Sequence, residues 1–254
     1  MSYKIVVDSC GELPESYKKN ERFESVPLVL DIDGHHVVDD ETFDQADFLK
    51  RVAASPTSPK SSCPSPERYM EGYRCEADHV YAVTLSAELS GSYNSSILGK
   101  NLYHEEYGDK DIYVFNSRSA SVGETLIAMK LRELADQGKT FEEIVEEVEH
   151  FRDHMLTYFV LETLDSLKKN GRLTGVQALL AAALNIKPLM AGDHGVIVKL
   201  DQARGIRKAL GKLVQHLSKS VKEPESKILG ISHCNCPERA EYVKEQLCKL
   251  VKFK

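Results

Sequence analysis

The pattern of this 254-residue chain predicts an α/β protein in two parts, with a doubly wound parallel sheet over residues 1–155 and a smaller strand-and-helix domain over residues 156–254. Three observations point there. Short β-rich runs alternate with amphipathic helical periods along the whole length, the order expected of parallel strands joined by crossover helices. Apolar residues make up 42% of the chain, enough to bury cores of this size. Two serine-rich segments also fall where open α/β sheets receive ligands, beyond the carboxyl ends of strands.

The elements follow in order. Residues 4–7, with Ile5, Val6 and Val7 in succession, read as a first buried strand, and residues 26–32 as a second. Ser65 before Pro66 is a helix N-cap. Residues 79–83 form a strand that runs directly into a serine-rich segment opening the next helix, and residues 111–115 form another strand. Thr140 with Glu143 makes a capping box ahead of Phe141, Ile144, Val145, Val148, Phe151 and Met155 at helical spacing. Residues 157–161, 196–200 and 227–231 read as strands, and the apolar run 178–184 as a helix. Ile206, Leu210, Leu213, Val214, Leu217 and Val221 lie on one helical face. Ala240, Val243, Leu247, Leu250 and Val251 do the same after Pro237, which sits at a first helical position. Because α/β domains commonly close on a strand, one more is expected beyond Lys254.

Composition narrows the function. A net charge of −6 and a pI near 5.9 give no electrostatic reason to expect nucleic acid. The start reads as a strand and not as a signal peptide. The longest central apolar run has seven residues against the roughly 20 of a spanning helix. A cytoplasmic protein without a membrane span is therefore expected, its six cysteines reduced. Cys234 and Cys236 beside His233 resemble half a zinc site, but no second ligand pair stands at suitable spacing and a helix starts at once at Pro237, so no metal is expected. The sequence carries no G-x-G-x-x-G fingerprint, no phosphate-binding P-loop and no G-x-S-x-G elbow.

What it does carry is hydroxyls. Pro59-Lys60-Ser61-Ser62-Cys63-Pro64-Ser65-Pro66 and Thr84-Leu85-Ser86-Ala87-Glu88-Leu89-Ser90-Gly91-Ser92-Tyr93 contain one cation between them, Lys60. Helix starts flanked by Ser, Thr and Gly offer N–H and O–H donors to an anion. The pair reads as a neutral cradle for a small acidic group. The plainer alternative is that these serines are helix caps worth ~1 kcal/mol each.

Taken together, Val7-Asp8-Ser9-Cys10, the 60–66 segment, Leu89-Ser90-Gly91-Ser92-Tyr93-Asn94-Ser95-Ser96, Asn170-Gly171-Arg172-Leu173, Leu184-Asn185-Ile186-Lys187-Pro188-Leu189 and Gln202-Ala203-Arg204-Gly205 resemble, in that order, the DegV family of fatty-acid-binding proteins that serve a bacterial fatty acid kinase. Departures exist: Ser61 stands for the family's Thr, Cys63 for a usual Gln, and Asn116-Ser117 for a frequent Asp-Ser. The family's closing strand and glycine-rich turn, often with a His near the ligand head, has no counterpart here, and His233 lies too early to take that role.

The resemblance implies a second α/β domain with a mixed sheet. It also implies a long-chain fatty acid held in an interdomain tunnel, its carboxylate presented to a separate fatty acid kinase for acyl-phosphate formation. The chain would then be a substrate-presenting protein rather than an enzyme, without a cofactor. Ser61 and Ser90 would bind the carboxylate, with Ser62, Gly91 and Ser92 beside them. Leu179, Ala182, Ala183 and Ile186 would line the acyl chain, unless the 178–184 helix is ordinary core, and Arg172 and Arg204 would dock the kinase. Asp8 and Ser9 either cap a neighbouring helix or order the head-group loops. Two rival functions remain open: an enzyme acting on a small ester or phosphate ligand with the serine loops as an oxyanion site, and a regulatory interaction protein whose lipid is structural.

Overall fold

The computed structural model describes residues 2–173 and 185–254. The chain forms two compact units, Met1–Met155 and Leu156–Lys254. In the first unit, strands β1 (Tyr3–Asp8), β2 (Phe23–Val26), β6 (His79–Thr84) and β7 (Asp111–Asn116) form a sheet in the order β2-β1-β6-β7. Every pairing in it is parallel, with Ile5 opposite both Phe23 and Tyr81, and Tyr81 opposite Tyr113. Parallel sheets are covered on both faces, which is why β1 and β6 read as unbroken apolar runs.

Alternation along each strand divides the core in two. Ile5, Val7, Tyr81, Val83 and Phe115 pack with Ile127, Leu131, Leu134, Ile144 and Val148 from helices α5 (Val122–Asp136) and α6 (Phe141–Asp153). Val6, Val80, Ala82 and Val114 pack with Tyr69, Tyr73 and Tyr103 from α3 (Pro66–Tyr73) and α4 (Ser92–Tyr107). Helices on both faces of a parallel sheet make the unit doubly wound.

The expected capping box holds α6. Thr140 Oγ1 accepts from the Glu143 N–H at 3.3 Å, and Glu143 Oε2 accepts from the Thr140 N–H at 2.8 Å. That bond draws the exposed Glu143 carboxyl below its ordinary range. Thr140→Ala should cost about 1 kcal/mol in denaturant unfolding; an unchanged midpoint would show the cap to be idle.

Residues 26–32 are not one strand. Pro27 has no N–H for a ladder, and the Leu28 N–H donates to Ser9 Oγ at 3.0 Å. The run splits into β2 and β3 (Val29–Ile32), and β3 joins a separate antiparallel sheet with β4 (His35–Val38) and β5 (Lys60–Ser62) in the order β4-β3-β5. A hydroxyl segment expected to open a helix therefore begins as a strand, and the helix starts later, where Ser65 Oγ caps α3 by accepting from the Arg68 N–H at 3.3 Å.

The sheet of the second unit is antiparallel throughout, not mixed: β8 (Thr157–Phe159), β9 (Ile186–Asp193) and β10 (Val196–Arg204) run in the order β10-β9-β8. The short His194-Gly195 turn, with both residues at positive φ, makes a hairpin that no crossover helix separates. Among the described residues, strand β8 pairs only with Met190, Ala191 and Gly192, so at Pro188 β9 has a strand neighbour on one side, where a missing N–H is tolerated. Residues 227–231 form no ladder among the described residues. Leu229 and Ile231 instead pack beside Leu213, Val214, Val243 and Leu247 of α8 (Ile206–Ser220) and α9 (Pro237–Leu250). Their apolar character mimics a strand, but they pack as a segment against the two helices.

Candidate functional site

The two hydroxyl segments, 59–66 and 84–93, meet in the first unit. A Cβ added at Gly91 would lie 3.1 Å from Cys63 Sγ, and Ser95 Oγ donates to the Pro64 carbonyl at 2.5 Å. Behind them α3 and α4 pack backbone to backbone at Gly99, where a Cβ would fall 2.5 Å from the Pro66 carbonyl oxygen. Glycines at 91 and 99 are what permit this approach.

Ser61 and Ser62 are exposed on β5, paired with Leu30 and Val29 of β3. Ser90 is half-buried, Gly91 exposed and Ser92 wholly buried. Gly91 is the N-cap of the 16-residue α4 and brings no side-chain cap, so the helix start presents N–H groups to an anion. Ser90 Oγ accepts from the Ser92 N–H at 3.2 Å, which leaves its proton for an acceptor outside the helix. This arrangement can hold an anion by neutral donors on adjoining segments.

Beneath the second segment lies a buried polar cluster. Asp8, at the carboxyl end of β1, is fully buried and accepts the Leu85 N–H on Oδ2 at 2.9 Å and the Cys10 N–H on Oδ1 at 3.2 Å. It therefore ties the start of the second hydroxyl segment to the end of β1. Ser9 belongs to a different link, donating to Asp39 Oδ2 at 2.7 Å while accepting the Leu28 N–H. The loop is held further by the Ser86 N–H on the Ser119 carbonyl and the Ala87 N–H on Asn116 Oδ1.

Glu124, fully buried in the first turn of α5, accepts the Ser121 N–H on Oε1 at 3.2 Å. One ligand atom each of Asp8, Cys10 and Glu124 lie within 4.8 Å of one another, the one such cluster among the described residues. Burial and the Asp8 charge push the Glu124 carboxyl well up; burial also raises Asp8, against hydrogen bonds that favour its ionised form. The sequence reading does not single out Glu124. The Ser121-x-x-Glu124 capping-box spacing marks it as a helix start, and nothing local marks its burial.

The remaining expected residues belong to the second unit. Arg172 is half-buried after Gly171 at φ 73°, with Nη1 donating to the Asn170 carbonyl at 2.9 Å. Arg204 is exposed at the end of β10 and in register with the half-buried Ile186. It borders a cavity of about 720 Å³ with Glu162, Asn185, Arg207, Lys208 and Tyr242. That basic hollow contains none of the cradle serines. Leu179, Ala182 and Ala183 lie outside the described residues. Among those residues, no helix is long and apolar enough to cross a membrane. At the former zinc candidate, His233 Nδ1 accepts the Cys236 N–H at 3.3 Å as α9 begins.

Fold and site define an α/β protein in which two hydroxyl-rich, cation-poor segments meet over a doubly wound sheet. The family profile described as an uncharacterised protein of the DegV family matches residues 2–253, and the chain belongs to that family. A DegV domain-containing protein of Streptococcus pneumoniae serotype 4 is 36% identical over 224 residues, 87% of this chain and 79% of that one. The crystal structure of a DegV family protein from Ruminococcus gnavus, refined with vaccenic acid, is 53% identical with a TM-score of 0.97, covering 100% of this chain and 91% of that one. The fatty acid kinase (Fak) B3 protein of Streptococcus pneumoniae, loaded with linoleic acid, is 31% identical with a TM-score of 0.89 over 98% and 89%.

Proposed function

We propose that this chain is a cytoplasmic, non-catalytic carrier that encloses the tail of one long-chain fatty acid in a tunnel between its two units and presents the carboxylate to a separate fatty acid kinase. The meeting of the two hydroxyl segments at Gly91 and Cys63 carries the reading, and the fatty acids bound by the similar proteins support it. Ser61 and Ser90 hold the carboxylate, helped by Ser62 and the α4 start at Gly91. Ser92, wholly buried beside Asp8, acts from beneath the loop; a nucleophilic serine would need access to substrate, so its burial speaks against ester hydrolysis. Arg172 and Arg204 are the docking residues proposed for the kinase.

Organic extraction of the purified protein, with native mass spectrometry, tests this directly. One fatty acid of roughly C14–C18 per chain is expected, about a dozen or more methylenes being needed for the tail to dominate binding. A protein that neither carries nor takes up fatty acid refutes it.

Neutral donors suit a carboxylate that must later attack a phosphoryl group, since a bidentate guanidinium would hold and damp its oxygens. Ser61→Arg should therefore keep or tighten fatty acid binding while slowing acyl-phosphate formation by the kinase. Equal phosphorylation rates for variant and wild type would remove this explanation.

A further inference from the structure

Three buried polar atoms converge beneath the head-group loop without a hydrogen-bond partner: Glu124 Oε2, Ser92 Oγ and Tyr69 OH. Asp8 stands among them, close enough to interact with all three residues. Its oxygens already receive two backbone N–H groups, the arrangement that stabilises a carboxylate. Glu124 receives one, on Oε1, leaves Oε2 bare, and belongs to a cluster that Asp8 shares. Two buried carboxyl groups this close do not both ionise without a compensating positive charge.

We propose that Asp8 and Glu124 share a single proton, carried on Glu124 Oε2, and that the one negative charge left on Asp8 holds the 85–92 loop in the form that receives a carboxylate. The proton sits as Oε2–H donating to Asp8, which resolves the orphaned oxygen. The Ser92 and Tyr69 hydroxyls then have a charged acceptor between them. Asp8 and Glu124 are positioning residues: they act through Leu85 and Ser92 and do not touch the ligand. The positioning half rests on the fatty-acid reading above; the shared proton does not.

The groups facing the pair are Cys10 and, behind it, Asp39 from the strand ends, with Tyr69 and Tyr73 from α3. Burial, then the Asp8 charge, pushes the Cys10 thiol to about 11, and burial raises both tyrosines. All three stay neutral near pH 7; Asp39, raised by burial against its Ser9 bond, titrates as a separate carboxyl, and the pair is the wholly buried group whose charge changes as pH rises. Because the folded state raises Glu124 above its unfolded value, the contribution of this group to stability is greatest below the ordinary Glu range. It falls as pH climbs toward the raised value and levels beyond it. Glu124→Gln, which mimics the protonated form, should flatten that slope.

The test uses the full-length, delipidated chain. Infrared difference spectra at pH 7 should show a buried carboxylic acid carbonyl band that E124Q lacks and that Asp8→Asn moves to a lower titration range. Oleate affinity should fall as the wild-type band disappears with rising pH, and E124Q should not share that fall. D8N should bind roughly tenfold more weakly, the value of one hydrogen bond to a charge. Absence of the band overturns the shared proton, as does stoichiometric zinc or manganese retained by wild type and lost in E124Q. Folded D8N with wild-type oleate affinity overturns the positioning role. If D8N does not fold, the pH slope of E124Q against wild type decides instead. A wild-type protein that binds no oleate overturns the fatty-acid reading and the positioning role with it, while the band still decides the proton.

Discussion

Each methylene removed from the fatty acid should weaken binding about fourfold, because burying one CH₂ is worth ~0.8 kcal/mol. A saturated series from about eighteen to about ten carbons then spans some four to five orders of magnitude at full burial. The head contributes less. A hydrogen bond to a charged group is worth about 1.5–3 kcal/mol net, so Ser90→Ala should cost roughly tenfold to a hundredfold. The serines thus orient and the tail holds. Equilibrium competition below the micelle concentration of each acid measures the slope. A flat series would place the affinity in the cradle and dismiss an enclosed tail.

The largest structural effect is expected at Gly99. A Cβ there would meet the Pro66 carbonyl oxygen at 2.5 Å, Tyr69 Cβ at 2.8 Å and the Met70 nitrogen at 3.1 Å. None of these is the far end of a flexible side chain, so α3 and α4 must part. Gly99→Val should destabilise the chain by about 3 kcal/mol, the upper end of the usual cost of overpacking. Separation of α3 from α4 also strains the Ser95–Pro64 bond and draws Cys63 from Gly91. The surviving folded protein should therefore bind fatty acid more weakly. Gly211→Ala in α8 meets nothing within 4 Å and should be neutral or stabilising by up to ~1 kcal/mol. Urea unfolding of both variants checks the contrast; a G99V midpoint equal to wild type would mean that the helices yield without cost.

Elements with strong local signals appear where their residues predict them. Strand β1, the Thr140 capping box, the Ser65 cap and the Pro237 helix start each depend on side chains within a few residues of one another. Errors fall where partners are distant. Residues 26–32 look like one strand until Pro27 and Ser9 divide them between two sheets. Residues 227–231 have a strand's apolar composition and no ladder among the described residues. The second sheet is expected to be mixed, yet the β9–β10 hairpin and the β8–β9 pairing are both antiparallel. Composition exposed the site's chemistry, a hydroxyl-rich and cation-poor pair of segments, but not which hydroxyls face outward. Ser92 stands in the same short run as the half-buried Ser90 and is wholly buried, as are Thr84 and Ser86.

By itself, then, the order of residues dictated periodicity, caps and the cation-poor character of the two hydroxyl segments, because those depend on neighbours along the chain. Folding in three dimensions decided which strands pair, that Cys63 meets Gly91, and that Asp8 and Glu124, 116 positions apart by their numbers, sit in one water-poor cluster. Desolvation and hydrogen-bond partnership are properties of what lies across space. A carboxyl group acquires its charge state only when the fold has chosen its surroundings.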